Sequence, residues 1–230
     1  MKKNILLIGG SHGIGRSIAQ QLHETRALFI ASRSQEGLED IQCQYIPFDV
    51  TKDNLDLSVL PEVLHGFVYC PGSINLKPFK MMNLEVFEED MKVNFLGLVK
   101  VVKEIIPKMD ENASMVFFST VAVAKGMAFH TSVAGSKGAI EGFAKSLAAE
   151  YAPKLRVNVI APSLVDTPLA AKLLNNERKI ENMAGRHPLK RVGHAEDIAH
   201  MAVFLLSERS NWMTGQVVRV DGGMSTLSIS

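Results

Sequence analysis

Cysteine is scarce in this chain. Cys43 and Cys70 are the two in 230 residues, too few for a disulfide framework, and reduced core thiols are the expected state. Charge of one sign is missing too: 25 Lys and Arg face 24 Asp and Glu, a formal net charge of +1. With no cationic excess, a nucleic-acid binder that works through a basic face is excluded. Long apolar runs are absent. Lys2-Lys3 followed by Ile5-Leu6-Leu7-Ile8 mimics the start of a signal peptide, but the run stops at Gly9, short of an h-region. No run approaches the length of a membrane span. What is present is ordinary globular material: 47% hydrophobic and 21% charged residues exclude a disordered chain, which lacks the apolar side chains to offset ordering entropy. The expectation is a soluble cytoplasmic protein with no membrane and no nucleic-acid partner.

Short apolar runs bounded by turn residues predict strands at 4–8, 27–32, 44–48, 66–70, 114–119, 155–160 and 216–220. Helical period between them predicts helices at 14–24, 54–64, 86–109, 133–152 and 195–207. Continuous apolar strands alternating with amphipathic helices imply a parallel sheet covered on both faces, the doubly wound α/β class. No linker or repeat divides the chain, so one domain over 1–230 is expected. The connection from Arg33 to Cys43 is so short that its helix is one turn or none. The patternless stretch at about 164–190 reads as a substrate lid. Its Leu169, Leu173, Leu174, Ile180 and Met183 suggest an apolar mouth.

Gly9-Gly10-Ser11-His12-Gly13-Ile14-Gly15 follows the first strand and opens a helix with Ile14, Ile18 and Leu22 on one face. Glycines there let the backbone turn tightly and approach a pyrophosphate, which the helix N-terminus then receives; a tight structural turn is the plain alternative. The second strand ends Ala31-Ser32-Arg33-Ser34. No acid stands there to bind a ribose 2′-hydroxyl, and Arg33 can pair with a 2′-phosphate, so NADP(H) is the expected cofactor unless Arg33 is a solvated loop charge. His12 can add a donor beside it.

Two helices carry a polar residue on their apolar stripe. The stripe Phe87, Met91, position 94, Leu98, Val101, Ile105 has Asn94 in it, and Val133, position 137, Ile140, Ala144, Leu147, Tyr151 has Lys137. A buried amide needs partners and a buried lysine is rare unless paired. Each alone could be a satisfied core group; two together predict a site between the helices. Ser119-Thr120 closes a strand at the carboxyl edge, where ligands of open α/β sheets bind.

These residues resemble the short-chain dehydrogenase/reductase family over essentially the whole chain, most of all its 3-oxoacyl-thioester reductases. Gly9, Ser11, His12, Gly13, Ile14 and Gly15 resemble its cofactor loop, with Ile8 where a Thr is usual. Asp49-Val50 is similar to the pair that contacts adenine. Tyr69-Cys70-Pro71-Gly72 stands where the family has Asn-Asn-Ala-Gly, so that Gly72 alone is kept. Asn94 matches the active-site Asn that holds a relay water. Arg156-Val157-Asn158 and Pro162-Ser163, followed by Val165 and Thr167, resemble the segment that holds the nicotinamide amide. The resemblance implies a Rossmann-type, mostly parallel seven-stranded sheet in a three-layer α/β/α arrangement, and a homodimer or homotetramer paired through the helices of Asn94 and Lys137.

The family's Tyr-x-x-x-Lys is broken. With Lys137 as the lysine, Val133 stands at the tyrosine position and Thr120 at the serine position. Threonine keeps a hydroxyl donor; valine has no proton to give. Three readings stay open. The first is an NADPH-dependent reductase of a small-molecule carbonyl, a 3-oxoacyl thioester by resemblance. In it Thr120 orients the carbonyl, Lys137 binds the ribose, and Asn94 serves the relay. His130, in the loop entering the helix, is the candidate substitute acid, with Thr120 or a water held by Lys137 and Asn94 as other donors. The second is a catalytically silent NADPH-binding redox sensor or partner subunit. The third is an altered chemistry that needs little proton donation. Ser132 is expected to cap the helix.

Overall fold

The computed structural model describes residues 2–228; the expected extent 1–230 runs beyond them at Met1, Ile229 and Ser230. Seven parallel strands form one sheet in the order β3-β2-β1-β4-β5-β6-β9. They are β1 Lys3–Ile8, β2 Arg26–Ser32, β3 Gln44–Pro47, β4 Leu64–Tyr69, β5 Met109–Phe118, β6 Leu155–Pro162 and β9 Val217–Val220. The order reverses next to β1, between β1 and β4, which places a ligand crevice at the carboxyl ends of those strands.

Alternation along the strands feeds two cores. Leu6 and Ile8 of β1, with Phe67, Tyr69, Met115, Phe117, Val157 and Val159, face one side. Ile5 and Leu7, with Leu28, Ile30, Val68, Val116 and Ile160, face the other. The first face is covered by helices α3 Gly97–Ile105 and α5 Thr131–Tyr151, with α2 Leu84–Met91 packed outside against α5. The second is covered by α1 Gly13–Leu22 and α7 Ala195–Leu206. Apolar on both sides, these strands have the composition a doubly covered parallel sheet requires. The expected three-layer α/β/α arrangement with a seven-stranded sheet is the observed one.

Two predicted elements come out differently. The helix over 54–64 is a single 3₁₀ turn, Leu57–Val59. Asp56 caps it by accepting from Ser58 N at 2.9 Å, but Pro61 forces Leu60 into extended backbone and ends it. Leu55 and Leu60 are buried all the same, so the apolar spacing reported burial and not helix. As its length predicts, the connection from β2 to β3 has no helix among the described residues. Instead the 33–43 loop is pinned onto α1 by Arg16, whose Nε donates to Gly37 O at 2.8 Å and whose Nη2 donates to Asp40.

The helix expected at 86–109 is α2 and α3 joined by a π turn, Lys92–Leu96, and β5 begins at Met109. The wider turn changes which side chains are buried. Phe87 and Met91, predicted on the apolar stripe, are half-buried, while Asp90 is fully buried together with Asn94. After Ser163 the chain leaves the sheet through β7 Val165–Asp166, α6 Glu177–Gly185 and β8 Gly193–His194 before α7. A further helix, α4 Val121–Lys125, follows β5. No described helix is long and apolar enough to cross a membrane, and no described cluster of His, Cys, Asp and Glu has metal-ligand geometry.

Candidate active site

A cavity of about 900 Å³ opens at the carboxyl ends of β1, β4, β5 and β6. At one end lies the β1–α1 turn. Gly9 has φ +78° and Gly13 φ +54°, backbone that side chains with a Cβ rarely adopt. Gly15 is tighter still: a Cβ there would stand 2.2 Å from Gly9 O. The loop is braced from across the sheet by Thr167, whose Cγ2 would lie 3.3 Å from a Cβ on Gly13. This backbone, emptied of side chains ahead of a helix N-terminus, fits the pyrophosphate of a dinucleotide.

At the other end α5 brings Val133 and Lys137 to the wall. Both are buried and both line the cavity. Lys137 is held where a methyl group on Gly72 would sit 3.4 Å from its Nζ and 3.3 Å from Asn94 Oδ1. Asn94 is thus behind Gly72, not on the wall itself. Its Oδ1 accepts from Ser73 N at 3.1 Å, and its Nδ2 lies 3.0 Å from each of Ser73 Oγ and Ser136 Oγ. Burial pushes the Lys137 ammonium down from its ordinary 10.5 to about 8, against the opposing effects of Cys70 and Asp90. Burial pushes the Cys70 thiol up to about 12, with Lys137 opposing.

A family model described as enoyl-(acyl carrier protein) reductase matches residues 9–225. The chain belongs to the short-chain dehydrogenase/reductase family. It is 30% identical over 234 residues to the L-xylulose reductase of Bos taurus, covering 96% of each chain. It is also 30% identical over 241 residues to a 3-oxoacyl-[acyl-carrier-protein] reductase of Thermotoga maritima, covering 96% of this chain and 97% of the relative. Among solved structures, the Thermoplasma acidophilum aldohexose dehydrogenase superposes with a TM-score of 0.90 at 28% identity, over 100% of this chain and 96% of that one. A short-chain dehydrogenase family protein of Francisella tularensis gives 0.91 at 25% identity, over 99% and 100%. Short-chain dehydrogenases/reductases are oxidoreductases that use NAD(P)(H), and the glycine cradle and the adjoining cavity fit that group.

Within the short-chain dehydrogenase/reductase frame, the expected site residues divide by place. Gly9, His12, Gly13, Ile14, Gly15, Gly72, Thr120, His130, Lys137, Pro162, Val165 and Thr167 all line the cavity. Ser11 is buried behind the loop, 3.0 Å from His12 Nδ1. Arg33 is exposed at the end of β2 and does not line the cavity. Asp49 and Val50 stand off it too. Asp49 Oδ1 accepts from Thr51 N and Oγ1, which holds its carboxyl below the ordinary range; Val50 packs against the core.

Thr120 caps α4: its Oγ1 accepts from Ala122 N at 3.3 Å, so its own hydroxyl hydrogen remains to donate. His130 Nδ1 donates to Ala128 O at 2.7 Å, which leaves Nε2 as the group able to exchange a proton. Of the apolar residues expected at the mouth, Leu169, Leu173 and Met183 line the cavity. Leu174 is buried in a small satellite core and Ile180 is exposed.

Other placements correct the sequence reading. Ser132 does not cap α5. It lies inside the helix and donates to Asp90 Oδ2 at 2.6 Å. Arg156 and Asn158 are away from the cavity: Arg156 donates to the carbonyls of Leu205, Ser207, Ser210 and Met213, and Asn158 bonds Met213 and Gln216. They clip β6 to the α7–β9 connection. Sequence reasoning missed Ser73 and Asp90. Asp90 precedes Asn94 by four residues, one helical turn, and that spacing was the available signal. It also missed Ser163 and His187 as a pair. Ser163 Oγ donates to His187 Nε2 at 2.7 Å, and His187 Nδ1 donates to Met183 O at 2.8 Å, tying α6 to the end of β6.

Proposed function

We propose that this protein is an NADPH-dependent reductase that converts a small-molecule ketone to an alcohol without the family's tyrosine. The observation that carries this reading is the convergence of Lys137, Asn94 and Thr120 at one end of a cavity whose other end is a glycine cradle. When bound, the dinucleotide supplies the hydride. Gly9 to Gly15 hold its pyrophosphate, and Lys137 holds the nicotinamide ribose. Pro162, Val165 and Thr167 flank the nicotinamide, and Asp49-Val50 meet the adenine. Arg33, exposed where no acid competes, pairs with the 2′-phosphate and selects NADP(H) over NAD(H).

Thr120 donates its hydroxyl to the substrate carbonyl oxygen. His130 gives a proton from Nε2 as the alkoxide forms. Residues 164–190 act as the lid. Their Leu169, Leu173 and Met183, with Met127 and Phe129 opposite, suit an apolar acyl chain, which makes a 3-oxoacyl thioester the leading substrate.

Val133 favours a second reading. It lines the cavity where a proton donor is needed and offers none, as a silent NADPH-binding sensor or partner subunit would. One experiment separates the two: NADPH oxidation across a panel of ketones and 3-oxoacyl thioesters, with wild type, His130→Ala and Val133→Tyr side by side. Wild-type turnover that falls by roughly 10²–10⁴ in His130→Ala, the worth of a general acid, is the expected result. Turnover found in Val133→Tyr alone would hand the protein to the silent reading.

A further inference from the structure

Asp90 is an acidic side chain with no access to solvent, the one buried residue of α2. A buried charge of this kind is costly unless it is fully bonded and faces an opposite charge. It is fully bonded. Oδ1 accepts from Ser73 Oγ at 2.5 Å and from Asn75 Nδ2 at 2.8 Å, and Oδ2 accepts from Ser132 Oγ at 2.6 Å. These donors come from the loop after β4 and from α5, so the carboxylate joins the two walls that flank Lys137. Ser73 then passes the connection on, since Asn94 Nδ2 lies 3.0 Å from Ser73 Oγ.

The opposite charge is Lys137. Its Nζ and Asn94 Oδ1 lie against the same side of Gly72, 3.4 and 3.3 Å from where a Cβ would stand, so the Asp90–Ser73–Asn94 chain ends beside the ammonium, and Cys70 and Asp90 both favour its charged form. The Cys70 thiol, pushed up to about 12, is neutral near pH 7. Around the same cavity stand His12, His130 and His187 and the cations Lys77 and Arg186, and no described Asp or Glu lines it. Glu141, one turn further along α5, accepts from Ser119 Oγ at 2.6 Å. Asp90 is the anion left to answer the cation.

We infer that Asp90 is a positioning residue of this site: its buried carboxylate is the fixed counter-charge of the Lys137 ammonium and, through Ser73, the anchor of the Asn94 amide. This deepens the reading of Lys137 as the cofactor-holding cation and rests on it. Its test needs neither cofactor nor substrate, so the two can fail separately. Without a counter-charge, burial alone would strip Lys137 of its proton near neutral pH. The site would then lose its cation under working conditions while its shape stayed intact.

The experiment is an NMR titration of protein carrying [ε-¹³C]lysine, with the Lys137 signal assigned by its disappearance in Lys137→Met. The wild-type midpoint is expected near 8. In Asp90→Asn, which keeps the shape and removes the charge, it is expected to move down by about one pH unit or more. Asp90→Glu should return it toward the wild-type value. A purely structural Asp90 would change the unfolding midpoint of the protein and leave the Lys137 titration where it was; that result overturns the inference. Should Asp90→Asn fail to fold, the wild-type protein decides. The Asp90 side-chain ¹³C shift at pH 7 is expected to be that of a carboxylate, and a carboxylic-acid shift there would refute a counter-charge.

Discussion

The two ends of the cavity are built in different ways. The dinucleotide end is made of backbone. Gly9, Gly13 and Gly15 matter for the Cβ atoms they lack, and their positions follow from one strand, one turn and one helix adjacent in sequence. The reactive end is made of side chains. Asn94, Thr120 and Lys137 come from the π turn, the end of β5 and α5, three elements far apart in the chain, and Asn94 is held by Ser73 and Ser136 from two others. A backbone site tolerates almost no substitution at its glycines and is indifferent to most of its other residues. A side-chain site can lose one member and keep the rest assembled.

The contrast can be broken at its stiff end first. Gly15→Ala places a methyl group against Gly9 O where no side chain can move aside. The loop must open, and NADPH affinity is expected to fall by at least about 100-fold, roughly 3 kcal/mol, as read by fluorescence titration. An unchanged dissociation constant would mean that the cradle is not where the cofactor sits.

At the soft end, Lys137→Met should separate binding from stability. The fold depresses the Lys137 ammonium from 10.5 to about 8, so the folded protein bears the charge at a cost of roughly 3 kcal/mol below pH 8. Above pH 8 the folded state releases the proton before the unfolded chain does. Stability from this group therefore rises between about pH 8 and 10.5 and is level on either side. Denaturant unfolding of Lys137→Met at pH 7 is expected to show a gain of about 2–3 kcal/mol, together with weakened NADPH binding. The gain should shrink as pH is raised through that window. A variant less stable than wild type at every pH would show that Lys137 supports the fold and is not tolerated for function.

The smallest effect lies outside the site. Gly142, exposed in the middle of α5, has no atom within 4 Å of a Cβ placed on it. Gly142→Ala should stabilise the chain by about 0.5–1 kcal/mol, measured by thermal unfolding, without affecting NADPH binding. A loss of stability would reveal a neighbour in solution against this face of α5.

Much of this was legible in the sequence, and for the same reason that the two ends differ. The seven strands, the glycine loop and the ends of α1, α5 and α7 are local signals, written in apolar runs and turn residues a few positions apart. Asn94 and Lys137 were legible because each breaks an apolar stripe. Asp90 was not, because the stripe runs through the apolar Phe87 and Met91, whereas around the π turn it is the acid beside them that is buried. The 54–64 segment misled for a related reason. Its leucines are buried by a loop folding over the sheet edge, and burial in a loop can mimic helical spacing. Ser163 and His187 were beyond reach, since nothing in the sequence says that residues 24 positions apart will meet.

The π turn has one more consequence. A π turn holds one residue more than an α turn, and one residue of α-helix is 100° of rotation. Gly97 is seated so closely under Val50 and Tyr69 that a Cβ would meet them at 2.5 and 2.7 Å, and Tyr69 Oη donates to Val93 O at 2.6 Å. The downstream half of the helix is therefore locked to the sheet. Deleting a single residue from 92–96 would leave an unbroken helix but swing α2 around by about a quarter turn, carrying Asp90 away from Ser73 and Ser132. The place of the buried carboxylate is therefore set by chain length at this turn as much as by the identity of residue 90.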